Sequence, residues 1–173
     1  YQKQTLRNRS SIYGSNGKLK LIIPVKFSSS KKEKLKDIRI CYNTNWQKIH
    51  LKSIQTAYRS SPYFEFFQDY FFEIFEKKEK FLIDINLKSI DIIYDILELN
   101  FNYKLTSDYK TNYNMLIDKR ELSKKSKAEL NNLIKPYHQV FEENHGFIPN
   151  LSIIDLIFNH GINSLDFFKE SNI

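Results

Sequence analysis

The chain has few of the residues that usually mark chemistry. Among its 173 residues Cys41 is the only cysteine, Trp46 the only tryptophan and Met115 the only methionine, with four glycines and four prolines. One cysteine excludes an intrachain disulfide and any zinc site built on cysteine pairs. It fits a reducing interior compartment, so a cytoplasmic location is expected. The glycines, at 14, 17, 146 and 161, all stand at turn positions, which leaves no glycine-rich loop to cradle a phosphate. The four histidines, His50, His138, His145 and His160, form neither an HExxH nor a His-x-His pattern, so no metal site or cofactor is expected. No nucleophile elbow occurs. No apolar run approaches the ~20 residues of a membrane span.

Positive charge is plentiful but uneven. The net charge is +7, yet residues 1–39 hold eight lysines and three arginines against Glu33 and Asp37, a local surplus of nine. The rest carries 16 cations and 18 anions. Richness in Lys, Asn, Ile, Phe and Tyr matches an AT-rich genome, so part of the lysine excess is compositional. The asymmetry still marks the N-terminal segment as a place for an anion, a nucleic acid or a membrane surface.

Periodicity orders the chain. Residues 1–13 read as extended, Gly14-Ser15-Asn16-Gly17 as a hairpin turn, and Lys18–Phe27 as a strand whose Pro24 marks an edge or end. Ser28–Lys36 reads as a mobile basic connector and Ile38–Tyr42 as a short strand. A helix is expected from Trp46, capped by Asn43 or Thr44, with Trp46, Ile49, His50, Ser53, Ile54, Ala57 and Tyr58 on one face. After Ser60-Ser61-Pro62 comes an aromatic helix with Tyr63, Phe66, Phe67, Tyr70, Phe71 and Ile74 in a stripe. A third helix is expected over 86–98, with Leu87, Ile90, Ile93, Tyr94 and Leu97 inward. Short strands at 104–106 and 115–117, a charged loop at 118–127 and a helix over 127–144, broken near Pro136, follow. A final helix capped by Asn150 or Ser152 runs to Asn159 and stops at Gly161, with one more turn at 164–169. The fold class is α/β: one domain over 1–173, with a small mixed sheet and an N-terminal β-hairpin covered by several helices, and a helix-rich C-terminal half.

Candidate chemistry clusters early. Lys3, Arg7 and Arg9 can clamp a phosphate or carboxylate, with Asn8 and Thr5 adding hydrogen bonds; they can equally be a solvated strand face. His50, on an apolar helix face, is a general acid or base at a cleft or else a core histidine bonded to backbone. Tyr58 shares that face, with its hydroxyl at the rim. The aromatic stripe reads as core rather than a base-stacking platform. Asp155 is a buried acid, or a cap or partner of a basic neighbour, and Cys41 a buried inert thiol.

Several ordered segments resemble the WbqC-like protein family: Tyr1 to Arg9, Asn16-Gly17 before Leu21 to Val25, Trp46 to His50, and Ile54 to Tyr58 with Pro62-Tyr63-Phe64. Gln139-Val140-Phe141 and Gly146 to Leu156 resemble its Bacteroidetes-type members. Family members carry a further upstream segment with a Pro-Tyr-Phe-Pro-like motif, so the resemblance implies a chain without its first strand and helix. It also implies a context, bacterial surface-polysaccharide (O-antigen) biosynthesis, and an activity, acyl or aminoacyl transfer to a sugar. On that reading Lys3, Arg7 and Arg9 bind a phosphate of a nucleotide-linked sugar or acyl donor, and Asn8 orients the substrate. His50 is the base, with Tyr58 as its hydrogen-bonding neighbour. The alternatives are a non-catalytic binding or partner protein of the same pathway and, third, a nucleic-acid-binding protein. The last is disfavoured by the net acidic remainder and the lack of a recognition helix.

Overall fold

The computed structural model describes residues 5–26, 33–100, 102–108, 117 and 134–170. Strand β1 (Arg9–Gly14) pairs antiparallel with β2 (Gly17–Ile22), from Arg9 opposite Ile22 to Gly14 opposite Gly17. The loop is thus Ser15-Asn16, and Gly17 takes φ +91°, where a Cβ is disfavoured. A second antiparallel ladder joins β3 (Val25–Lys26) to β4 (Arg39–Ile40), so the strands form two small ladders. Pro24 separates β2 from β3, because proline cannot donate to a ladder.

Helices cover the ladders: α1 (Trp46–Tyr58), α2 (Phe64–Glu76) and α3 (Leu82–Ile96), then the single turn α4 (Glu142–His145), α5 (Ile153–His160) and α6 (Ser164–Glu170). Helix α5 is central. Every residue from Ile154 to Asn159 is buried, and Phe158 meets Tyr58, Phe64 and Phe71 with ring centroids 5.1 Å apart in each case. The expected stop at Gly161 is there, at φ +60°. A Cβ would lie 2.8 Å from the Tyr63 ring, so both backbone and packing demand glycine.

Several local expectations are corrected. Thr5–Asn8 is a turn, and the first strand begins only at Arg9. Helix α1 starts at Trp46 as expected, but Asn45 holds the cap position and makes no side-chain cap bond. Ile49 lies 60 % exposed beside the buried face. Helix α2 buries Phe64, Phe71 and Ile74, leaving Phe66 and Tyr70 outside. Helix α3 begins four residues early, because the Leu82 amide donates to Ile38 O (2.9 Å) and ties the helix start to β4. It buries Leu82, Ile85, Ile92 and Ile96, with Ile90 exposed. Residues 104–106 are not a strand, and 134–141 are not helical. The expected strand at 115–117, the loop at 118–127, the first part of the 127–144 helix and most of the 28–36 connector lie largely outside the described residues.

Candidate functional site

The arm Thr5–Arg9 is fixed at three points. Asn8 Nδ2 donates to Ile23 O and the Ile23 amide to Asn8 O, both at 3.0 Å. Asn86 Nδ2, on α3, donates to Arg7 O at 3.0 Å. The arm therefore sits where the end of β2 meets α3. From α1, His50 Nε2 accepts the Ile22 amide at 3.2 Å. Since Ile22 stands opposite Arg9 in the ladder, His50 braces the strand end that carries the arm.

Around this junction is a cavity of about 220 Å³, whose wall includes Arg7, Asn8, Arg9 and His50. Residues more than forty positions apart thus share one space. Among the described residues no carboxylate lines it. Among the described residues Arg7 has one side-chain partner, Thr5 Oγ1, which accepts from Nη1 at 3.2 Å. Arg9 has none, and its Nε is buried. Arg7 and Arg9 are thus half-buried cations with no acid beside them among the described residues, and a guanidinium has the geometry to meet an anion through paired charge-assisted bonds.

His50 differs from the base expected. It is 6 % exposed and packs edge-on to Trp46 (5.2 Å) and Phe75 (6.1 Å). Burial lowers its pKa to about 4, so the ring is neutral at pH 7. Because Nε2 accepts the Ile22 amide, the ring proton belongs on Nδ1. Lys3 lies outside the described residues.

Tyr58 does not join this cavity. Its hydroxyl donates to Asp155 Oδ1 (2.7 Å) and accepts the Tyr13 amide (3.1 Å), so it does not serve as a hydrogen-bonding neighbour of His50. It belongs to a second buried polar centre. Asp155 Oδ2 accepts from the Tyr137 hydroxyl (2.8 Å) and Gln139 Nε2 (3.0 Å). Gln139 also exchanges two hydrogen bonds with Ile148, its amide N donating to the carbonyl (3.0 Å) and its Oε1 accepting the Ile148 N–H (2.8 Å). The Tyr13 hydroxyl is shared between the carbonyls of Gly146 (2.7 Å) and Phe141 (3.0 Å). Burial raises the Asp155 pKa although three donors favour its charged form, and burial beside that carboxyl pushes Tyr58 well up. Asp155 is therefore a buried acid satisfied by neutral donors, with no basic partner among the described residues.

The model of the WbqC-like protein family matches residues 1–136. The chain belongs to the WbqC-like protein family. Neither the curated proteins nor the solved structures give a match. The family match takes in the whole arm, His50 and Tyr58. Tyr137, Gln139 and Asp155 lie beyond it, as does the 139–156 stretch. In this WbqC-like chain the cavity wall nevertheless includes Ser152 and Ile154, contributed by that later stretch. Sequence reasoning missed Gln139, Tyr137 and Tyr13 as polar centres. Only the resemblance around Gln139 signalled the segment, because polar residues scattered over four elements leave no periodic trace.

Proposed function

We propose that this WbqC-like chain binds a phosphorylated, sugar-linked small molecule in the Arg7–Arg9 cavity and acts on it in surface-polysaccharide biosynthesis, as an acyl or aminoacyl transferase. The observation that carries this reading is that Arg7 and Arg9 both line the cavity, with no carboxylate on its wall among the described residues. A phosphate meets two such groups through charge-assisted hydrogen bonds. In transfer, a sugar amine or hydroxyl attacks the acyl carbonyl of the donor. An amide or ester bond forms, and the donor's leaving group departs with the proton. His50 can take the acceptor's proton only if Nε2 releases the Ile22 amide.

That last point favours a second reading, a non-catalytic binding protein of the same pathway. There His50 serves only to brace β2. The two readings part at His50→Gln. Loss of transfer with ligand affinity kept supports catalysis; transfer kept once protein levels are matched supports the binding role.

The common core is tested by isothermal titration with nucleotide sugars. Arg7→Ala combined with Arg9→Ala should weaken binding about 100-fold or more, since charge-assisted bonds are worth ~1.5–3 kcal/mol each. Absence of heat with every phosphorylated ligand, or equal affinity in the double variant, rules it out.

A further inference from the structure

The cavity is too small and too apolar for the whole ligand proposed above. Its volume, about 220 Å³, falls below the ~300–1,000 Å³ of pockets that enclose a drug-sized molecule. Away from the arm its wall is mostly hydrocarbon, with Ile54 on α1, Phe71 and Ile74 on α2, Ile85 and Ile93 on α3, and Ile154 on α5, interrupted by His50, Asn86, Ser89 and Ser152. Four polar side chains on the wall are already engaged with the protein's own backbone. His50 accepts the Ile22 amide, Asn8 donates to Ile23 O, Asn86 donates to Arg7 O, and the Ser89 hydroxyl donates to Ile85 O at 2.7 Å. The buried Asn8 Oδ1 lacks a partner and can accept one hydroxyl, but a sugar ring carries several, and each one left unpaired would cost ~1–3 kcal/mol.

We propose that the cavity encloses an apolar acyl group of the ligand, while the phosphate stays at Arg7 and Arg9 and the sugar remains outside. This rests on the anion-binding reading above. The donor class it selects is a short aliphatic acyl compound carrying an anionic group. A polar acyl group such as glycyl gains nothing from this wall.

Straight-chain alkyl phosphates, from methyl to octyl, test the proposal, because the anion is constant and only the chain grows. Affinity measured by titration should rise about fourfold per methylene until the cavity is full and then level off. Ile93→Phe should move that plateau to shorter chains. Ile93 is half-buried, and Ile23→Phe, also half-buried on the wall, serves as a second variant should the first lower the melting temperature. Equal affinity for methyl and octyl phosphate, still dependent on Arg7 and Arg9, overturns the acyl assignment and leaves the anion site standing. No binding of any member of the series overturns both.

Discussion

Two polar centres among the described residues, one half-buried and one buried, solve opposite problems. Around the N-terminal arm, among the described residues, Arg7 and Arg9 line a cavity with no acid on its wall and Arg9 finds no side-chain partner. Around α5, a fully buried carboxyl has no cation among the described residues, yet its oxygens receive three hydrogen bonds from Tyr58, Tyr137 and Gln139. The first arrangement leaves electrostatic demand unmet; the second meets it internally. A buried polar group satisfied by its own chain needs no outside partner, whereas one left wanting calls for an explanation. The contrast reassigns Tyr58, which the sequence pairs with His50 in catalysis, to the scaffold.

The sharpest way to break this contrast is Asp155→Ala. It removes the acceptor for two hydroxyls and an amide in a dry interior, at ~1–3 kcal/mol for each orphaned group. Urea denaturation should show a loss of about 3 kcal/mol or more. A fall below about 1 kcal/mol would mean that the α5 centre is not structural. Tyr58→Phe is the milder version. It deletes one donor to Asp155 and the acceptor of the Tyr13 amide, and should cost about 1–2 kcal/mol in the same assay. The cavity side should respond the other way: Arg7→Ala with Arg9→Ala removes like charges in a shared space and should leave the urea midpoint unchanged or raise it, while weakening anion binding about 100-fold or more.

How far the sequence could see each region follows from the range of the interactions. The Asn16-Gly17 turn, the start of α1 at Trp46 and the stop at Gly161 are local backbone chemistry, and all were legible. The start of α3 was not, because a long-range bond from Leu82 to Ile38 O extends the helix over four residues that look like a loop. Helix α2 misled for another reason: aromatic residues surround it, so periodicity cannot choose between Phe66, which is 73 % exposed, and Phe64, which is 5 % exposed. At the site, the charge surplus pointed to the arm, and the apolar face pointed to His50. Their meeting in one cavity depends on tertiary packing of the β2 end against α1 and α3. Of the tyrosine–Asp155 centre, Asp155 and Tyr58 stood out singly, but nothing in the pattern joined them to Tyr13, Tyr137 and Gln139.

A last comparison separates the centres by the sign of their pH response. His50 has its pKa lowered to about 4 by burial, against 6.5 when exposed. Between those values the unfolded chain binds the proton that the folded chain refuses, so His50 makes stability fall on acidification from about pH 6.5 to 4. Asp155 is raised above 3.8 by burial, so just above that value the folded chain keeps a proton that the unfolded chain releases. Its contribution therefore grows on acidification and is lost as pH rises through the folded pKa. Melting temperatures of the wild type and His50→Gln, followed from pH 7 to 4, should differ in slope and not only in level: glutamine can still accept the Ile22 amide but cannot titrate. Parallel curves would show that His50 is not buried neutral. The brace between α1 and the arm would then differ from the one described, and with it the geometry that brings His50 to the arginines.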